Sequence, residues 1–176
     1  EIEITAHPSR HRSPLGKVAT ILGDHLAPGM EIDIALRDFE LPHVWTPEAL
    51  TQAESYGDSI PKSAITGRLD LRDLPLVTID GEDARDFDDA VYAKQLESGA
   101  WRLWVAIADV SYYVDPQSPL DKDAQDRANS VYFPSQVIPM LPEALSNGLC
   151  SLNPQVDRLC MVCEMVIGVD GLLESH

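Results

Sequence analysis

The chain has 176 residues, 44% of them hydrophobic, and a formal net charge of −16. That length and apolar content support one domain with a real core, or one domain and part of another, and exclude a chain disordered throughout. The excess of acid excludes nucleic-acid binding by a diffuse basic surface, so any nucleic acid must be met through metal, stacking or a local groove.

Residues 1–37 carry three short alternating segments, Glu1-Ile-Glu-Ile-Thr5, Gly16-Lys-Val-Ala-Thr-Ile-Leu22 and Met30-Glu-Ile-Asp-Ile-Ala-Leu36. Their period of two predicts a small antiparallel sheet. Three strands bury little by themselves, so this stretch reads as the end of a barrel whose beginning is absent. Residues 38–73 form a connector, with prolines at 42, 47 and 61. It holds one helix over 46–53, which Thr46 caps and Pro47 opens. From residue 74 onward the chain is richer in apolar residues. Strands are expected at 76–79, 90–93, 101–108 and 159–169, a helix at 119–129 opened by Ser118 and first-turn Asp121, and a short helix from Pro142 to a stop near Gly148. Strands and helices at irregular spacing give an α+β fold, a mixed sheet with helices.

The chemistry concentrates in Asp80-Gly-Glu-Asp-Ala-Arg-Asp-Phe-Asp-Asp89, where six carboxylates face one arginine for a local charge of −5. If four of them converge, each pair about 4 Å apart repels by roughly 4 kcal/mol at an effective dielectric near 20. Two divalent cations would nearly neutralise the cluster, and hard oxygen ligands favour magnesium or manganese over zinc. A solvated acidic loop is the plain alternative. Apolar residues on both sides and Phe87 within the run argue for a ligand site instead. No frame of the run fits a calcium loop, and Asp86-Phe-Asp88 lies too far after Ile79 for an aspartyl-phosphate enzyme.

Cys160 and Cys163 have no second Cys/His pair to complete a zinc site, and Cys150 reads as packed core. The histidines, His7, His11, His25, His43 and His176, lack ligand spacing. Asp109, at the end of the 101–108 strand, is either an acceptor facing the acidic run or a turn cap. Arg127 and Arg158 are phosphate-contact candidates, with ion pairs to Asp123 and Asp157 as the ordinary alternative. With three cysteines, no secretory signal and no long apolar run, a reduced cytoplasmic setting away from membranes is expected.

The run Leu74-Pro-Leu-Val-Thr-Ile-Asp-Gly-Glu-Asp-Ala-Arg-Asp-Phe-Asp-Asp-Ala, followed by Trp104-Val-Ala-Ile-Ala-Asp109, Ser130-Val-Tyr-Phe-Pro134, Ile138-Pro-Met-Leu-Pro142 and Leu149-Cys-Ser-Leu152, resembles the catalytic (RNB) domain of the ribonuclease II and ribonuclease R family. The motifs occur in fixed order and the resemblance covers roughly residues 16–169. It implies that 1–37 is the C-terminal part of a cold-shock, OB-type module, 38–73 a connector and 74–176 the N-terminal part of a truncated catalytic domain.

What the resemblance implies for activity is a processive, magnesium-dependent 3′-to-5′ exoribonuclease, with manganese as a substitute, that hydrolyses single-stranded RNA to nucleoside 5′-monophosphates. Its four catalytic aspartates fall on Asp80, Asp86, Asp88 and Asp89. Asp80 and Asp89 are expected to ligate the principal ion and Asp86 to complete that site or a second one, while Asp88 orients the terminal ribose hydroxyls. Tyr132 matches the tyrosine that stacks on the 3′-terminal base, a contact worth roughly 1–3 kcal/mol for any base. Arg158 joins the RNA contacts, and the expected partner is the 3′ end of single-stranded RNA, met by a monomer. Glu82 and Asp83 match no ligand of the family and are expected outside the coordination sphere, with Arg85 pairing to them. Family members continue beyond the position of His176 and supply an arginine and a glutamate to the active site. The chain is therefore expected to be a fragment with little activity alone. An inactive RNA-binding or scaffold relative of the same fold is the alternative.

Overall fold

In the computed structural model, residues 1–23, 28–82 and 84–176 are described. They form two units, Glu1–His43 with Tyr132–Val137, and Val44–Val131 with Ile138–His176.

In the first unit, β1 (Ile2–Ala6) pairs antiparallel with β2 (Leu15–Val18), with an irregularity between Ile4 and Ala6. The third alternating segment is not a strand. Residues Met30–Asp38 form helix α1 instead, entered through Gly29 at φ 89, a left-handed conformation that glycine adopts without steric cost. Ile32 and Leu36, four apart, are its buried residues, and Asp33 pairs with Arg37 one turn on at 3.3 Å. Acids in the first turn and Arg37 in the last also suit the helix dipole. Alternation at 30, 32, 34 and 36 is thus compatible with a helix whose apolar stripe needs only positions 32 and 36.

The second unit begins with α2 (Pro47–Ser55) and the single turn α3 (Lys62–Ile65). Thr46 caps α2 as expected, its Oγ1 accepting from Ala49 N at 3.3 Å. The expected strand at 76–79 is reduced to one bridge, Val77 with Val91, and Val77 and Ile79 are exposed. Pro75 withholds a donor beside it. A regular strand, β3 (Asp89–Gln95), starts only at the end of the acidic run, followed by β4 (Trp101–Ala108).

A 3-10 turn at Val110–Tyr112 leads to α4 (Pro119–Arg127), capped by Ser118 as expected. The short strands β5 (Val131–Phe133) and β6 (Gln136–Ile138) make a hairpin, and the helix expected after Pro142 is a π-helical turn, Ala144–Leu149. β7 (Cys160–Ile167) and β8 (Leu173–Ser175) complete a sheet of order β3-β4-β7-β8, antiparallel at every pairing. One of its faces buries Ala90, Trp104, Ala106 and Ala108. Ala108 joins Ala49, Ala53, Tyr113, Leu120, Leu145 and Leu149 in the core, which therefore sits beneath the end of β4 and the start of β3. Together the elements give the α+β class expected.

Candidate active site

The acidic run is irregular backbone, so its conformation depends on bonds made from outside it. At its C-terminal end, Ala108 N donates to Asp88 O at 2.9 Å and Asp89 pairs opposite Ile107, which docks the run onto β4. In the middle, Leu152 N donates to Phe87 O at 2.8 Å. The Ser151 hydroxyl accepts from Phe87 N at 3.0 Å and donates to Arg85 O at 2.9 Å. Arg158 Nε in turn donates to Gly148 O and Ser151 O, both at 2.9 Å. Loop 148–152 therefore braces the acidic run from below.

Asp88 feels the charges of the other three aspartates. The carboxyl of Asp88 is pushed above the usual carboxylate range, first by desolvation, then by the charges of Asp86, Asp89 and Asp80. Asp88 is exposed when the whole residue is considered, yet its carboxyl lies close enough to protein for desolvation to dominate. Asp86 is half-buried, while Asp80 and Asp89 are exposed.

Their donors are all hard carboxylate oxygens, which fits magnesium or manganese. Among the described residues no three His, Cys, Asp or Glu side chains are placed together so as to hold a metal ion. The charges of Asp80, Asp86 and Asp89 nonetheless reach Asp88, and a cation bound beside them would offset that charge.

The other sequence candidates fall as follows. Tyr132, on β5, is 62% exposed and so is not a core aromatic. Arg158 is half-buried, with its Nε committed to the two carbonyls of loop 148–152, and it meets Asp157 through that residue's backbone oxygen at 2.9 Å. Asp157 instead pairs with Arg72 at 3.2 Å. Arg127 lies 3.4 Å from the centre of the Trp45 ring and donates to Pro139 O, while Asp123 accepts from Thr46. Asp109 is buried, paired with Arg68 at 2.6 Å and bonded to the Ser111 hydroxyl. It stands at the N-terminus of the Val110–Tyr112 turn without a side-chain cap bond, its carboxylate being held by Arg68 and Ser111 instead. Cys150 is packed core as expected, and burial pushes its thiol up to about 12. Glu82 is exposed; Asp83 and His25 lie outside the described residues.

Sequence reasoning missed Ser151 and Arg68. The signal for Ser151 was available, since it is the one hydroxyl inside the apolar motif Leu149-Cys-Ser-Leu152 and it is fully buried.

Residues 68–176 match the RNB domain model and residues 1–46 a cold shock domain model. The chain belongs to the RNB-domain family. Among its relatives, ribonuclease R of Vibrio parahaemolyticus is 63% identical over 175 residues, covering 99% of this chain and 21% of the relative. Ribonuclease R of Escherichia coli K12 is 60% identical over 175 residues, covering 99% of this chain and 22% of the relative. The chain thus spans about a fifth of the length of the curated relatives it matches. Among solved structures, Mycoplasma genitalium RNase R in complex with ribose methylated single-stranded RNA superposes with a TM-score of 0.88 at 33% identity, covering 99% of this chain and 27% of that one. Yeast Ssd1, described as a pseudonuclease, shares the fold with a TM-score of 0.70 at 20% identity, covering 99% of this chain and 22% of that one.

Proposed function

We propose that this chain supplies the acidic half of the active site of a processive 3′-to-5′ exoribonuclease, which hydrolyses single-stranded RNA to nucleoside 5′-monophosphates. The observation that carries this reading is the acidic run held in place at the end of the sheet, by Ala108 N on Asp88 O and by Ser151 on Arg85 and Phe87, with all four family aspartates in it. It is supported by ribonuclease R relatives at 60% identity or more and by the likeness to an RNase R described with single-stranded RNA.

In this reading Asp80, Asp86 and Asp89 hold magnesium, or manganese in its place. An ion bound there would supply Lewis acidity at the terminal phosphodiester and charge neutralisation at the departing 3′-oxygen. Asp88 orients the terminal ribose hydroxyls by accepting hydrogen bonds from them through its carboxylate oxygens. Tyr132 offers an exposed ring for stacking on the last base, which needs no sequence preference. Arg158 adds a phosphate contact through its guanidinium beyond the Nε that braces the loop.

We assign 1–37 to the C-terminal part of a cold-shock module, 38–73 to a connector and 74–176 to the N-terminal part of the catalytic domain. The enzyme works as a cytoplasmic monomer on the free 3′ end. Among the described residues no helix is long and apolar enough to cross a membrane.

The alternative is an RNA-binding scaffold without hydrolysis, for which the pseudonuclease Ssd1 shows that the fold has a precedent. Presence of all four aspartates favours the enzyme. Mononucleotide release from a single-stranded RNA by the full-length protein, with and without Asp89→Asn, decides between them. The enzyme reading expects magnesium-dependent release that the variant abolishes while RNA affinity persists. Equal degradation by the variant removes Asp89 from the site, and an inert wild-type protein that still binds RNA selects the scaffold.

A further inference from the structure

Ser151 has 0% exposure and sits in the motif 149–152, which no part of the reading above assigns a role. Its hydroxyl makes two bonds of opposite sense to residues either side of Asp86, donating to Arg85 O at 2.9 Å and accepting from Phe87 N at 3.0 Å. The next residue adds Leu152 N to Phe87 O at 2.8 Å. Two of these three bonds hold the peptide groups either side of Asp86, and the third holds the peptide group between Phe87 and Asp88. Behind them Arg158 Nε holds Ser151 O and Gly148 O together at 2.9 Å, so the brace cannot turn freely.

This matters because, among its described residues, the acidic run has no ladder of its own between the bridge at Val77 and the start of β3 at Asp89. Like charges on Asp80, Asp86, Asp88 and Asp89 favour an open run, and backbone bonds must oppose that spreading. Ala108 does so for Asp88, donating to its carbonyl at 2.9 Å. Ser151 is placed to do so for Asp86.

We infer that Ser151 is a positioning residue for Asp86, whose hydroxyl holds the acidic run in the conformation that accepts a divalent cation. The inference rests on the metal-dependent reading above. It concerns affinity for the ion and reaches RNA only through Asp86.

Manganese titration followed by electron paramagnetic resonance, on the full-length protein, tests it. Ser151→Ala should weaken manganese binding by about 10- to 100-fold, the usual cost of removing an outer support of a metal ligand. Ser151→Thr retains a hydroxyl and should recover most of that loss. Leu120→Ala, a buried core truncation on α4 remote in sequence from the run, controls for lost stability and should bind manganese like wild type once allowance is made for the folded fraction. Hydrogen exchange supplies a readout independent of the ion, since the Phe87 amide should lose protection in Ser151→Ala and keep it in Ser151→Thr. Manganese affinity unchanged in a folded Ser151→Ala overturns the positioning role alone. A wild-type protein that binds no manganese overturns the metal reading on which it stands.

Discussion

Arg68 Nη2 lies 2.6 Å from Oδ2 of Asp109, joining the segment after α3 to the turn that follows β4. The Asp109 side chain is 7% exposed and that of Arg68 33%, so this is a mostly buried pair at the head of the sheet strand that docks Asp88. Arg68 also donates through Nε to Ala64 O at 3.0 Å, and its guanidinium sits 5.8 Å from the centre of the Tyr112 ring.

The pair predicts a pH dependence of stability. Burial raises the Asp109 pKa, but bonds from Ser111 and Arg68, the Arg68 charge and the Tyr112 amide outweigh it, leaving the carboxyl below its usual value of 3.8. A depressed folded-state pKa contributes stability that is complete above the unfolded value and lost as pH falls through the folded one. In Arg68→Ala the carboxylate keeps its burial and loses its partner, at a cost of about 3 kcal/mol near pH 7. Its pKa then rises, so the deficit against wild type should shrink as pH drops below about 4. Urea unfolding between pH 3 and 7 measures this, and a deficit independent of pH contradicts the assignment.

Arg127 carries a second prediction. It is 7% exposed, stacks on Trp45 and donates to Pro139 O at 3.3 Å. Burial holds its pKa below the usual arginine value, opposed by Asp123. A planar guanidinium suits this stacked site and an ammonium does not, so Arg127→Lys should cost about 1–2 kcal/mol. The Trp45 fluorescence of the folded state should change with it. An unaltered melting curve and spectrum would show that the stack contributes nothing.

Much of the second unit was legible in the sequence because its signals were local. Thr46-Pro47 and Ser118-Pro119 cap the helices they were expected to cap, and the strand over 101–108 has the bounds that its apolar run indicated. Two misreadings share a cause. At 30–36 and 76–79 an apolar pattern suggests strand pairing, yet pairing needs a partner edge. Ile32 and Leu36 are better buried one helical turn apart, and Val77 finds only Val91. The four aspartates are singled out by the family motif together with their charge density. The support beneath them is not, because a hydroxyl that bonds backbone 64 and 66 residues away leaves no periodic trace.

The central claim is that Asp80, Asp86 and Asp89 share a divalent cation beside Asp88, and manganese binding by the full-length wild-type protein and by Asp89→Asn tests it most directly. Removing a direct ligand should weaken binding by more than about 100-fold, beyond the range seen for outer-shell supports. Wild-type affinity in Asp89→Asn, with the fold intact by circular dichroism, would place the cation elsewhere and contradict the account.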